Sequence, residues 1–177
     1  MGFDFVWKLV LRDTDIAEHL LILYALATGS NAKTIVEIGA GQSTYVLLQA
    51  AEQNKGEFYS IDLTPDSSAK RLFSDAPDIS NETRYRPIKG DSLNIKWDKE
   101  IDFLFIDSGH TYDLTLGELK KYTRFVREGG FICMHDTGEY NNIFSDCRRA
   151  MIDFTKDLGW EYKQLNNQNG MTILRKI

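Results

Sequence analysis

The chain has 177 residues, 26 acidic and 21 basic, and a net charge of −5. That length suggests one domain, and 42% hydrophobic with 27% charged residues is the composition of a soluble globular chain that buries a core. The acidic balance disfavours a polyanion, so no nucleic-acid partner is expected; the short cluster Arg84-Tyr85-Arg86 does not change this.

The N-terminal stretch "MGFDFVWKLVLRDTD" lacks a signal-peptide layout, and the longest apolar run, residues 20–27, is far shorter than a membrane span. No membrane partner is expected. The two cysteines, Cys133 and Cys147, show no metal-finger spacing, and Cys133 reads as a buried thiol. A reducing, cytoplasmic setting follows. "DTDIAEHLLILYALATGS" reads as a helix capped near Asp13 or Thr14 and ending near Gly29. A buried strand follows at 35–38, then a glycine turn and a helix at 44–53. A second strand covers 57–61 and ends at Asp62; a short helix at 66–73 follows Pro65. After a loop, 85–88 is a third strand, and "IDFLFIDSGH" holds a fourth, ending near Asp107. "DLTLGELKKYTRFVREGG" has Leu114, Leu119, Tyr122 and Val126 at helical spacing and reads as one amphipathic helix stopped by Gly-Gly. "FICMHD" is a fifth strand, 142–157 a helix, and the C-terminus two strands around an Asn/Gly turn. This alternation predicts an α/β fold whose parallel sheet has helices on both faces.

In such a sheet, ligands lie at the carboxyl ends of the strands. "EIGAGQST" places Gly39-Ala40-Gly41 there, followed by a helix N-terminus with unpaired N–H groups. A dinucleotide site calls for G-x-G-x-x-G, and Thr44 occupies the third glycine's position, which disfavours NAD. Glu37 interrupts an apolar strand, where a carboxylate must be hydrogen-bonded. Asp62, 21 residues after Gly41, suits both hydroxyls of a ribose; Asp91, ending the third strand, suits the exocyclic amine of adenine.

These residues resemble the class I S-adenosylmethionine-dependent methyltransferases: "VEIGAGQST" looks like their first motif, "SIDLTP" their second and "IKGDSL" their third. The resemblance spans nearly the whole chain, including a closing hairpin at "NGMTILRK". It implies a Rossmann-like, doubly wound seven-stranded sheet, mostly parallel with a C-terminal antiparallel hairpin. It also implies one methyltransferase domain over 1–177, with 1–30 a helical segment flanking the active site. S-adenosylmethionine would lie against Gly39, Ala40, Gly41, Ser43 and Thr44, with Glu37 supporting its amino end, Asp62 and Leu63 at the ribose, Asp91 and Ser92 at the adenine, and Asp107 beside them.

A second constellation follows. Asp107 ends the fourth strand, His110 comes three residues later, and His135-Asp136 ends the fifth. Carboxylates and imidazoles on one strand edge suit a divalent ion, and oxygen ligands favour Mg²⁺ or Ca²⁺. Side chains alternate along a strand, so His135 and Asp136 share a pocket only if the strand has already ended; Asp136 is the preferred ligand and His135 the second choice. The stretch resembles small-molecule O-methyltransferases of the macrolide-sugar and cephalosporin type, with Asp-x-x-His-x-Tyr, a helix, Gly-Gly, a strand and His-Asp or Glu-Asp; sugar-type members carry Glu where His135 stands. That resemblance implies a metal held by Asp107 and Asp136 and a base at His110, near neutral pH if its pKa is unperturbed. The third protein ligand is open, with Asn141 or Asn142 available in the next loop. Trp7, Phe5, Tyr112 and Tyr140 are candidates to line a pocket for a small hydroxylated acceptor. The alternative is a non-catalytic S-adenosylmethionine- or nucleotide-binding module on the same fold. Oligomeric state is open, a homodimer included.

Overall fold

The computed structural model describes residues 3–65, 78–139, 144–156, 158 and 160–177. The expected helix at 66–73, Tyr140, Asn141 and Asn142 lie outside them. The elements run α1 (Phe3–Val10), α2 (Ala17–Gly29), β1 (Thr34–Ile38), α3 (Gln42–Asn54), β2 (Glu57–Asp62), β3 (Tyr85–Lys89) and β4 (Ile101–Ile106). Then come α4 (Tyr112–Tyr122), a 3₁₀ turn (Thr123–Phe125), β5 (Val126–His135), α5 (Ser145–Thr155), β6 (Glu161–Leu165) and β7 (Met171–Arg175).

The strands form one seven-stranded sheet in the order β3-β2-β1-β4-β5-β7-β6. All pairs are parallel except those of β7, which runs antiparallel to both β5 and β6. This is the mostly parallel Rossmann-like sheet with a C-terminal hairpin that the sequence implied. The order reverses between β1 and β4, and a crevice forms there.

Strand residues alternate between two cores. Ile35, Phe58, Phe103, Phe105 and Cys133 join the cluster with Val6, Leu20, Leu23 and Tyr45; Val36, Ile61, Leu104, Ile106, Ile132 and Met134 face Leu119, Tyr122 and Met151. A strand buried on both faces carries apolar residues at nearly every position, hence runs such as "FLFI". Burial pushes the Cys133 thiol up, as an inert core cysteine requires. Among the described residues, no helix is long and apolar enough to cross a membrane.

Two expected elements come out differently. Helix α2 begins at Ala17 without a side-chain cap, so neither Asp13 nor Thr14 caps it; the Thr14 hydroxyl instead donates to Gln42 Oε1 at 3.2 Å. The helix after β4 ends at Tyr122, not at Gly-Gly. Thr123 Oγ1 turns back onto the Leu119 carbonyl (2.6 Å), and Val126 already pairs with Ile101 as the first residue of β5. The next matched pair is Phe103 with Phe131, so β5 carries extra residues there. Gly129, at φ +73°, permits that bulge. The glycine pair that looked like a helix stop is a strand irregularity.

Candidate active site

A cleft of about 560 Å³ opens over the ends of β1, β2, β3 and β4. Its walls include Gly39, Ala40, Asp62, Leu63, Asp91, Ser92 and Asp107, seven of the residues expected at a methyl donor. Three others, Glu37, Ser43 and Thr44, stand behind the turn and are almost wholly buried.

The turn is built by backbone contact first. Gly39 has φ +92°, and a Cβ there would stand 1.9 Å from the Asp107 carbonyl oxygen. The first glycine therefore lets β1 and β4 end side by side. At Gly41 a Cβ would meet nothing within 4 Å, so open space lies beside it. Behind them, Glu37 accepts from the hydroxyls of Ser43 (2.5 Å), Thr44 (2.7 Å) and Ser60 (2.7 Å). Ser60 is its register partner on β2. Thr44 Oγ1 also accepts from the Gly41 N–H at 3.0 Å. Thr44 thus ties the turn to the strand beneath it. Burial pushes the Glu37 carboxyl up to about 7, although three hydroxyls donate to it.

Asp62 Oδ2 accepts the Ala40 N–H (3.0 Å) and Oδ1 the Thr64 N–H (2.6 Å), so it braces the turn from which it faces the cleft. Asp91 accepts from Leu93 N and Asn94 Nδ2. Of the cleft residues that escaped the sequence reading, one is ionisable. Glu118 of α4 is fully buried, accepts from Ser92 Oγ (2.5 Å) and Ser108 Oγ (2.7 Å), and burial pushes its carboxyl up. The available signal was its place on the inner stripe, four residues after Leu114 and four before Tyr122.

Beside the cleft stands the second constellation. Ile106 pairs with Met134, so Asp107 and His135 follow at adjacent strand ends. Strand β5 stops at His135, and Asp136 adopts φ +58°, a left-handed conformation that Asp tolerates better than most residues. That turn brings both neighbours to Asp107, despite the alternation of a regular strand. His110 Nε2 lies 2.7 Å from Asp136 Oδ2 and 3.9 Å from Asp107 Oδ1; His135 Nδ1 lies 3.5 and 3.6 Å from the same two oxygens. The His110 ring packs on Phe144, with centroids 4.3 Å apart.

Charge shapes this cluster. Asp107 and Asp136 push His110 up to about 9, with Asp136 the nearer partner. His110 therefore holds its proton at neutral pH, unlike the unperturbed imidazole assumed for a base. Burial works against the charge on His135, but hydrogen bonding to Asp107 and Asp136 wins and raises it to about 10. Burial likewise opposes ionisation of Asp136 and Asp107, and the two imidazoles outweigh it, holding both carboxyls below their usual range. Among the described residues, Asp107, His110 and Asp136 group ligand atoms within 4.8 Å of one another. Among the described residues, Asp136 Oδ1 is buried without a hydrogen-bond partner. A buried carboxylate oxygen left over after two imidazoles are satisfied fits a cation.

The other aromatic candidates stand apart from this cluster's hydrogen bonds. Tyr112 donates its hydroxyl to Asp153 (2.9 Å), Phe5 packs edge-on against Tyr45, and Trp7 is half-exposed on α1. His19 is fully buried in α2.

Known proteins share this architecture. A candidate caffeoyl-CoA O-methyltransferase from Staphylococcus aureus matches with a TM-score of 0.72 over 99% of this chain and 89% of its own, at 20% identity. A methyltransferase from Podospora anserina, solved with S-adenosylhomocysteine bound, matches at 0.71 over 99% and 87%, at 17% identity. An O-methyltransferase from Bacillus cereus, also in complex with S-adenosylhomocysteine, matches at 0.64 over 98% and 96%, at 17% identity. At such identities the likeness is one of fold. No curated protein matches significantly in sequence. The sequence profile of a methyltransferase domain, however, matches residues 36–137, which run from β1 to the turn after Asp136 and make up more than half of the chain. This chain belongs to that methyltransferase-domain family.

Proposed function

We propose that the chain transfers a methyl group from S-adenosylmethionine to a hydroxyl of a small molecule, assisted by a divalent cation at Asp107 and Asp136. The observation that carries the reading is the junction of the two sites: Asp107 lines the cleft and also faces Asp136, whose Oδ1 is buried and unpartnered. S-adenosylmethionine supplies an electrophilic methyl on a sulfonium. Asp62 accepts hydrogen bonds from the ribose hydroxyls, and Asp91 and Ser92 flank the adenine. Glu37, Ser43 and Thr44 keep the turn in shape from behind.

A bound divalent cation would supply the Lewis acidity that lowers an acceptor hydroxyl's pKa. His110 is the most exposed group of the cluster, with a side chain 37% accessible. The carboxylates of Asp107 and Asp136 raise its affinity for a proton; a cation held there would offset their charge, so that His110 would lose its proton to solvent and take up that of the acceptor hydroxyl. The protein's main contribution is orientation, on the order of 7–11 kcal/mol in favourable cases. The test is methyl transfer to a panel of hydroxylated acceptors, with and without EDTA. Turnover that stops with EDTA and with Asp136→Ala is expected. Turnover that survives both refutes the cation.

The 2.7 Å His110–Asp136 contact favours a second reading, in which these ion pairs are self-sufficient and the chain only binds the nucleoside. That reading expects S-adenosylhomocysteine binding without transfer to any acceptor in the panel.

A further inference from the structure

We infer that His135, not His110, is the third protein ligand of the cation site, and that the site therefore selects a first-row transition dication over Mg²⁺ or Ca²⁺. This rests on the cation site proposed above and assigns what that reading leaves open.

Geometry separates the two imidazoles. Donor atoms of one ion with bonds of about 2.1 Å stand roughly 3 to 3.5 Å apart. His135 Nδ1 is nearly equidistant from both carboxylates, 3.5 Å from Asp136 Oδ2 and 3.6 Å from Asp107 Oδ1. His110 Nε2 stands at hydrogen-bond distance from one, 2.7 Å, and 3.9 Å from the other.

His135 is also preset as a ligand. Its Nε2–H donates to the backbone carbonyl of Asp15 at 3.1 Å. A neutral imidazole that donates from Nε2 carries its lone pair on Nδ1, the atom facing the carboxylates. On binding, the Nδ1 proton leaves to solvent and the Nε2–H stays on Asp15. The segment that carries this carbonyl is tied to the β6–β7 turn. Asn169 Nδ2 donates to Asp15 Oδ2 (3.3 Å) and Gln168 Nε2 to the Thr14 carbonyl (2.8 Å). The ring packs edge-on against His19, centroids 5.3 Å apart, and its side chain is 2% exposed. Among the described residues, the His110 ring contacts the carboxylates and Phe144 and has no such backbone anchor.

Two carboxylates with an imidazole form a mixed oxygen and nitrogen set. Mg²⁺ and Ca²⁺ prefer all-oxygen shells, whereas Mn²⁺, Co²⁺ and Zn²⁺ accept imidazole readily. The strand-end histidine, where an oxygen ligand would keep the site hard, makes it borderline.

The test uses the full chain, stripped with EDTA and titrated with Co²⁺ and separately with Mg²⁺, with the visible d–d bands as readout for Co²⁺ and calorimetry for both. Co²⁺ is expected to half-saturate at a concentration at least about tenfold below Mg²⁺. His135→Ala should weaken Co²⁺ by about tenfold or more, and by more than His110→Ala does. Because His135→Ala could fail to fold, a second measurement uses pulsed electron paramagnetic resonance on the Mn²⁺-loaded protein. A directly bound imidazole nitrogen should appear in the wild type and persist in His110→Ala. Equal affinity for Co²⁺ and Mg²⁺, or loss of the nitrogen signal in His110→Ala, overturns the assignment. S-adenosylhomocysteine titrated in parallel keeps the two readings apart. If it binds while Co²⁺ shows no preference, only the ion assignment falls; if neither binds, the methyl-donor reading falls too.

Discussion

Glu37 and Asp136 are both buried carboxyls on the same edge of the sheet, two strands apart, and their surroundings push them in opposite directions. Glu37 meets three neutral hydroxyls, which satisfy its oxygens without cancelling its charge, and burial drives it up to about 7. Asp136 meets two imidazoles, and their positive charge holds it down despite burial. Neutral donors leave the charge of a buried acid uncompensated and favour its protonated form; an opposite charge compensates it and favours the ionised form. The cleft takes its shape from the first acid and, by the proposal above, its reactivity from the second.

The largest effect is expected where the two regions touch. Gly39→Ala places a methyl against the Asp107 backbone at a left-handed φ, and urea denaturation should show a loss of about 4 kcal/mol or more, or no folded protein. A folded variant of near wild-type stability would mean that the strand ends are not locked together. Next is Asp136→Asn, which removes the charge shared by two imidazoles. A stability loss on the order of 3 kcal/mol is expected, and nuclear magnetic resonance titration of both proteins should place His110 at least about one pH unit lower in the variant than in the wild type. An unmoved His110 would break the contrast with Glu37.

The third prediction separates the acids by pH. The Glu37 carboxyl is raised above its unfolded value of 4.5, so its contribution to stability is fully present below pH 4.5 and is lost as pH rises through about 7. A rise of that size corresponds to about 3 kcal/mol. Relative to Glu37→Gln, the wild type should therefore lose about that much between pH 4 and pH 8. Asp136 and Asp107 run the other way: lowered in the folded state, they add stability above their ordinary value of 3.8 that is lost on further acidification. A stability difference from Glu37→Gln that stays flat across pH 4 to 8 would show that Glu37 is not a desolvated acid. The smallest effect belongs to Thr44→Val, which strands the Gly41 N–H and removes one of the two hydroxyls that donate to Glu37 Oε2; about 1–2 kcal/mol by denaturation is expected.

Much of this was legible in the sequence. Strands β1 to β4 were bounded within a residue or two; β1 and β4 are buried on both faces and read as apolar runs ended by Gly or Asp, whereas β3 is mostly exposed and was bounded by the Gly-Asp that follows it. The positions at the strand ends followed, since topology alone carries Asp62, Asp91, Asp107 and Asp136 to one edge. The rest depends on neighbours that a sequence does not display. Val126 fits a helical stripe and is a strand residue because Ile101 offers it a partner. Glu118 looks like a solvated helix acid until Ser92 and Ser108 close over it. The carbonyl that orients His135 is backbone and leaves no residue-type signal. The left-handed turn at Asp136, which lets adjacent residues share one site, is set by tertiary structure.

The central claim is that the cleft over the glycine turn holds an adenosine with a short amino-acid tail. Calorimetric titration of the full chain with S-adenosylhomocysteine tests it most directly, with Asp62→Asn as the comparison. Binding at sub-millimolar concentration, weakened about tenfold or more by Asp62→Asn, is expected. No binding below millimolar concentration, or equal binding by the variant, would contradict it.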